Sequence, residues 1–349
     1  MMSEEEKYMS RCVQLAKNGL CNTAPNPTVG AVIVHQGKII GEGYHVRCGE
    51  AHAEVNAIRS VKDESLLKDS TIYVSLEPCS HHGKTPPCAD LIIKKQIPRV
   101  VIGCMDPFSK VAGRGIQKLK EVGTDVKVGV LEKECLKLIN RFITFNTLKR
   151  PYIILKWAES ADRFIDINRT DGTPIVLSNP LTSMLVHKRR AEVDAILVGT
   201  HTAQLDNPSL NTRNWYGKNP CRIVIDRALS LPQNLHIFDD SNKTIVFTAE
   251  QKRATNNTEY ITIDFHSNTL PQIMNSLFER NIQSLLVEGG SILLQSFIDN
   301  SLWDEAHVEQ SSLLLYDGVK APNLKEIDSL KENLYFGTRI LDYTHICKP

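Results

Sequence analysis

The chain has 349 residues, 42% of them hydrophobic and 23% charged, which is ordinary for a globular protein and long enough for two domains. A formal net charge of +1 and a pI near 7.6 exclude a strong basic field, so nucleic acid is not an expected partner, whereas an acidic small molecule needs only a few local cations. No apolar run is long enough for a bilayer, the acidic start Met1–Lys7 lacks a signal-peptide pattern, and nine scattered cysteines, an odd number, read as reduced thiols. A cytoplasmic protein without membrane contact is the expectation.

Apolar residues at helical spacing predict a helix over Glu4–Leu20. Val29–His35 and Lys38–Tyr44 read as two strands joined by the turn Gln36-Gly37. A helix at Ala53–Val61 and a strand at Thr71–Leu76 follow, then a helix at Ala89–Gln96, a buried strand at Val100–Cys104 and a helix at Gly115–Val122. The order predicts a layered α/β domain, closed by a helix over Leu131–Thr147. Lys149-Arg150-Pro151 breaks the pattern and places a boundary near 147, giving domains 1–147 and 148–349. Beyond it, strands are predicted at Tyr152–Trp157, Ala195–Val198, Arg222–Asp226, Thr244–Thr248, Ser284–Glu288 and Glu305–Gln310, with helices at Leu181–Ala191, Pro271–Arg280 and Ser291–Asn300. This is a second α/β domain.

The strongest chemical signal is His52-Ala53-Glu54, followed by Glu77-Pro78-Cys79 and Cys88. One imidazole and two thiolates give zinc three protein ligands and leave a fourth position open, the pattern of catalytic sites. Metal in such a site activates water near neutral pH. Glu54 stands two residues after the histidine and can carry a proton from that water to a departing amine, a division of labour found in zinc deaminases. His52 and Glu54 fall at a predicted helix start, as does Cys88 after Pro86-Pro87, so both helix dipoles favour the anionic groups. Nucleoside and nucleic-acid deaminases usually carry Pro-Cys-x-x-Cys. Here eight residues separate Cys79 from Cys88 and bring His81, His82 and Lys84, of which His81 and Lys84 suit a polar, phosphorylated substrate.

The second half has no Gly-x-Gly-x-x-Gly after a strand. Val287-Glu288-Gly289-Gly290-Ser291 runs from a strand into a helix and can bring backbone N–H groups to a phosphate. Two further clusters, Arg189–Gly199 and Asp206–Arg213, carry arginines whose planar forks suit phosphate.

Ser75–Cys88 strongly resembles the bifunctional deaminase–reductase family of riboflavin biosynthesis. So do Pro25–Gly30, Gly49–Glu54 and Val111–Gly115, and the likeness extends more loosely through the second half. The resemblance implies a cytidine-deaminase-like α/β/α sandwich followed by a dihydrofolate-reductase-like α/β domain. It implies Zn2+ and NADPH as cofactors and a homo-oligomer. The substrate it implies is 2,5-diamino-6-(5-phosphoribosylamino)pyrimidin-4(3H)-one, to be deaminated and then reduced from ribosyl to ribityl. By the same resemblance Asn26, His45, His81 and Lys84 hold the first substrate. Ala158, Thr202, Asp206 and the stretch Gly290, Ser291, Ile292, Leu293, Leu294, Gln295 and Ser296 line the NADPH site. Arg190, Leu210, Arg213 and Glu288 meet the second substrate, and Asp206 is the best candidate proton donor. The chain departs from the family at Ser160-Ala161-Asp162-Arg163, where Arg163 replaces a glycine of a tight turn, and at Val176, where a tryptophan is usual.

Three alternatives stay open. The C-terminal domain could be a non-catalytic binding or oligomerisation module, the deaminase could edit nucleic acid, or the zinc site could be structural with His81 as a fourth ligand.

Overall fold

The computed structural model describes residues 2–80, 86–106, 113–169 and 173–345. It divides into two compact units, Met1–Leu148 and Lys149–Pro349. Among the described residues no helix is long and apolar enough to cross a membrane.

The first unit begins with α1 (Glu4–Lys17), whose N-terminus is closed by a capping box between Ser3 and Glu6. This helix stops short of the expected Leu20, because Gly19 turns the chain so tightly that a Cβ there would lie 2.4 Å from the His45 carbonyl oxygen. Strands β1 (Gly30–His35) and β2 (Lys38–Tyr44) form a hairpin whose turn residues Gln36 and Gly37 both have positive φ, the geometry that matches strand twist. Then come α2 (Ala53–Ser60), β3 (Thr71–Leu76), α3 (Cys88–Lys94), β4 (Arg99–Cys104), α4 (Arg114–Glu121), β5 (Asp125–Val128), α5 (Glu132–Leu138) and α6 (Asn140–Leu148). The sheet order is β2-β1-β3-β4-β5, with β1 antiparallel to both neighbours and β3, β4 and β5 mutually parallel.

Alternation along the strands fills both faces of this sheet. Ala31, Ile33, Ile72, Val74, Val100 and Ile102 pack with α2, α3 and α4, while Val32, Val34, Tyr73 and Val101 pack with α1 and α5. The result is an α/β/α sandwich. The expected Leu131–Thr147 helix is two helices interrupted at Ile139, and no glycine or proline marks the break. Strand β5 was not predicted, since Asp-Val-Lys-Val is short and half polar at the sheet edge.

The second unit contains β6 (Tyr152–Glu159), β7 (Phe164–Asp166), α7 (Pro180–Glu192), β8 (Ala195–Gly199), α8 (Thr200–Asp206), β9 (Cys221–Ile225), β10 (Thr244–Thr248) and β11 (Thr258–Thr262). It continues with α9 (Thr269–Glu279), β12 (Ser284–Val287), α10 (Ser291–Asp299), β13 (Glu305–Gln310), β14 (Val319–Lys320), β15 (Ser329–Tyr335) and β16 (Thr338–Thr344). The main sheet runs β11-β10-β9-β8-β12-β6-β13-β16-β15, seven parallel strands followed by an antiparallel hairpin. The parallel strands are near-continuous Val, Ile and Leu because both faces are covered. Sequence patterning missed β7, α8, β11, β14 and the hairpin β15–β16. In β15 nearly every side chain is exposed, so its pattern carries no buried face to recognise.

One ion pair ties the entry to the first strand of this unit to the connection between α10 and β13. Arg150 donates to both oxygens of Asp304, at 2.7 and 2.9 Å, and Asp304 also accepts the Ile153 N–H at 2.7 Å. Both side chains are under a tenth exposed. Removing the carboxylate strands a buried guanidinium, so Asp304→Ala should destabilise this unit by about 3–5 kcal/mol in urea unfolding. A loss below about 1 kcal/mol would mean that solvent reaches Arg150.

Candidate active sites

Strand β3 delivers Leu76 to the carboxyl edge of its sheet, and Glu77-Pro78-Cys79 continues from there. Helix α3 starts at Cys88, whose N–H donates to Cys79 Sγ at 3.3 Å, while the Ala89 N–H donates to the Cys79 carbonyl at 3.2 Å. Helix α2 starts after His52 and carries Glu54 in its first turn. It lies directly on β2, because a Cβ at Gly43 would sit 2.3 Å from the Ala57 nitrogen. A strand end and two helix starts therefore converge. His52 Nδ1 lies 3.6 Å from Cys79 Sγ and 3.3 Å from Cys88 Sγ, and all three atoms are within 4.8 Å of one another.

The donor set fits zinc. Tetrahedral bonds of about 2.3 Å to sulfur and 2.0–2.1 Å to nitrogen put N and S about 3.6 Å apart. The thiols are strongly coupled. Hydrogen bonds from the Cys88 thiol, from His52 and from the Cys88 backbone pull Cys79 well below the usual thiol range, whereas Cys88 is pushed far up by sharing its proton with Cys79 and by burial. The protein alone thus frees one thiolate, and a dication is what would draw off the second proton. Glu54 is 4% exposed, and burial followed by the charge of Cys79 lifts its carboxyl to about 7. It lies within hydrogen-bond reach of Cys88.

His45 and Asn26 stand beside this cluster. The His45 ring meets the His52 ring edge-on at 5.3 Å. His45 Nδ1 faces the Ala51 carbonyl at 3.1 Å and therefore carries the hydrogen, so Nε2 accepts from Asn26 Nδ2 at 3.2 Å. Burial lowers the His45 pKa, which keeps the ring neutral. That hydrogen bond turns the Asn26 NH2 group towards the ring, and the amide oxygen is an acceptor. His81 and Lys84 lie outside the described residues.

In the second unit, Ala158, Thr202, Glu288 and Gly290 fall at or just past the carboxyl ends of β6, β8 and β12, which are neighbours in the sheet, and Asp206 is the last residue of α8. The Gly290 N–H donates to Thr202 Oγ1 at 3.0 Å. Helix α10 begins at Gly290 with no side-chain cap and no acid in its first turn, so its N-terminal N–H groups suit a phosphate. Within the stretch 290–296 the helix turns Leu294 fully into the core and leaves Ile292 89% exposed. Ser291, Leu293, Gln295 and Ser296 are half-buried, with Gln295 bonded to Asp299 and Ser296 to the Leu293 carbonyl. Arg190 makes a two-pronged ion pair with Glu288, at 2.6 and 3.2 Å, and also donates to the Asn211 carbonyl. Arg213 is exposed and donates to Asn211 Oδ1. Leu210 is buried in the apolar layer under the sheet and takes positive φ.

Both departures are visible. Arg163 has a φ of 66°, the left-handed region that glycine fills without strain, and it holds that turn by donating to the Pro322 carbonyl. Val176 is largely exposed. Two residues escaped the sequence reading. Arg169 pairs with both Asp166 and Asp206. Lys156 is the lone charge in the apolar run Tyr152–Trp157, which was its signal; burial lowers its pKa, with Glu288 and Glu309 opposing.

The depressed Cys79 thiol makes a test. In metal-free protein, an alkylating reagent at about pH 6 should label Cys79 faster than the buried thiols, because its hydrogen bonds hold its pKa below the ordinary thiol value of about 8.5. Zinc should block the labelling. Reactivity that rises only above about pH 8 would contradict the arrangement.

A family model for the cytidine and deoxycytidylate deaminase zinc-binding region matches residues 2–104, and one for the RibD C-terminal domain matches residues 151–332. The riboflavin biosynthesis protein RibD of Aquifex aeolicus is 36% identical over 335 residues, covering 95% of this chain and 93% of that protein. The Bacillus amyloliquefaciens RibD is 37% identical over 329 residues, covering 92% and 87%. Among solved structures, a diaminohydroxyphosphoribosylaminopyrimidine deaminase/5-amino-6-(5-phosphoribosylamino)uracil reductase from Thermotoga maritima is similar with a TM-score of 0.90 and 36% identity, over 98% of this chain and 99% of that one. A C-terminal module without catalytic function is not favoured, since that half matches the family's own C-terminal domain. The chain belongs to the RibD family of riboflavin biosynthesis proteins and is a bifunctional deaminase–reductase, its zinc-binding deaminase region preceding its reductase domain.

Proposed function

We propose that the first unit hydrolytically removes the 2-amino group of 2,5-diamino-6-(5-phosphoribosylamino)pyrimidin-4(3H)-one, and that the second reduces the product with NADPH to 5-amino-6-(5-phosphoribitylamino)uracil. The observation that carries this reading is the convergence of His52, Cys79 and Cys88 around one point with the buried Glu54 beside them, in a chain that continues into the RibD C-terminal domain. The name of the Thermotoga maritima neighbour supports the substrate.

His52, Cys79 and Cys88 would hold zinc, which when bound would supply a hydrolytic nucleophile at neutral pH. Glu54 takes a proton on its carboxylate and returns it to the departing amino nitrogen. Burial keeps that proton from exchanging with bulk water between the two transfers. Neutral His45 fixes Asn26, whose amide offers an acceptor and a donor to a pyrimidine edge. His81 and Lys84 are assigned to the same substrate by their place in the loop between the two cysteines.

In the second unit NADPH supplies the hydride. Ala158, Thr202, Asp206 and the start of α10 are assigned to the cofactor, with the uncapped N-terminus of α10 suited to its phosphate groups. Arg190, held in place by Glu288, and the exposed Arg213 are assigned to the substrate, their planar forks suiting its phosphate. Leu210 contributes packing behind them.

One variant separates the two reactions. Glu54→Gln should keep zinc but lose deamination by about 10²–10⁴-fold, because an amide cannot carry the proton. The same protein should still oxidise NADPH when given the deaminated intermediate. Deamination at the unmodified rate would remove Glu54 from the mechanism. No NADPH oxidation by the unmodified chain would overturn the reductase assignment.

A further inference from the structure

Glu77 stands two residues before Cys79 and is 6% exposed. Its carboxylate is surrounded by backbone donors. Oε1 accepts from the N–H of Gly115 at 2.9 Å and of Ile116 at 3.3 Å; Oε2 accepts from Gly113 at 3.0 Å and Asp106 at 3.3 Å. Helix α4 explains this arrangement. Its N-cap, Gly113, has no side chain, and its first turn has no acid. Glu77 therefore supplies from another segment both the cap and the negative charge that a helix start requires.

The contact is close enough to transmit position. A Cβ on Gly115 would lie 2.1 Å from the Pro78 carbonyl oxygen, so the first turn of α4 sits directly against the peptide that precedes Cys79. The Glu77 N–H donates to the Cys104 carbonyl at 3.0 Å and holds the segment alongside β4. On its other side Cys79 is fixed to the start of α3 through its sulfur and its carbonyl. The tripeptide Glu77-Pro78-Cys79 is thus gripped between two helix N-termini, with α4 bound by a carboxylate and α3 by the thiol.

We infer that Glu77 is a positioning residue of the deaminase: by fixing α4 against the Pro78 peptide it sets where Cys79 presents its sulfur to the metal. The inference rests on the zinc reading above. A group two residues from a ligand, itself away from the three donor atoms, thereby controls metal affinity and the geometry in which the nucleophile is generated.

Glu77→Gln keeps the side-chain size but removes the charge and turns an NH2 group towards N–H donors. Full-length wild type and variant would be stripped of metal and titrated with zinc and with cobalt(II), whose absorption reports the sulfur geometry. The expected result for the variant is a loss of zinc affinity of about 10–100-fold and a shifted cobalt spectrum. The deaminase kcat should fall with KM little changed, and the reductase rate should be unaltered. Gly115→Ala provides a second route, because it keeps the Glu77 charge but presses on the Pro78 carbonyl and on Glu77 Oε1; it should give the same pattern. Wild-type affinity and an unshifted cobalt spectrum in a folded Glu77→Gln protein would overturn the inference. If that variant does not fold, the same result for Gly115→Ala overturns it. Failure of the wild type to take up either metal would instead overturn the zinc reading itself, and this inference with it.

Discussion

Two thiols and an imidazole packed within a few ångströms cannot satisfy one another. The shared proton between Cys79 and Cys88 drives one sulfur towards the thiolate and holds the other as a thiol, so the cluster as built is half prepared. Both sulfurs become ligands only when a cation stabilises the second negative charge. The first unit is arranged around that requirement. β3 ends where Cys79 is needed, and α2 and α3 begin where His52 and Cys88 are needed. The partial positive charge of each helix start faces the group whose ionisation the site depends on.

The second unit places its chemistry by the same rule. Ala158, Thr202, Glu288 and Gly290, among the residues assigned to cofactor and substrate, lie at or near the carboxyl ends of neighbouring parallel strands, where helices start. The rule differs in what it serves. In the first unit the helix starts serve the cysteines and a carboxylate, which on the proposed reading would hold a metal and move a proton. In the second, the uncapped start of α10 and the Arg190–Glu288 pair are suited to phosphates. A chain carrying both has the means for two consecutive steps on one phosphorylated compound.

What was legible in the sequence was what short spacing encodes. His52, Glu54, Cys79 and Cys88 could be read because the ligands of a zinc deaminase recur at fixed places after a strand or at a helix start. Arg163 could be read because the glycine it replaces marks a turn position that glycine fills without strain, and Arg163 takes positive φ there. The central strands were legible because burial on both faces leaves runs of Val, Ile and Leu. The edges were not. β5 is half polar, and β15 has no buried face. Nor were contacts between residues far apart in the chain. Nothing near Glu77 announces that it caps a helix starting at residue 114, and nothing near Asp206 announces Arg169. The helix over Leu131–Thr147 shows the opposite failure, a periodic pattern that persists across a real break at Ile139.

The central claim is that His52, Cys79 and Cys88 bind one zinc ion and leave a position open. X-ray absorption at the zinc edge of the purified full-length protein tests it directly. The account predicts one zinc per chain with two sulfurs at about 2.3 Å, one nitrogen at about 2.0–2.1 Å and one further light atom. A zinc shell without sulfur, or protein that retains no zinc while remaining active as a deaminase, would contradict it.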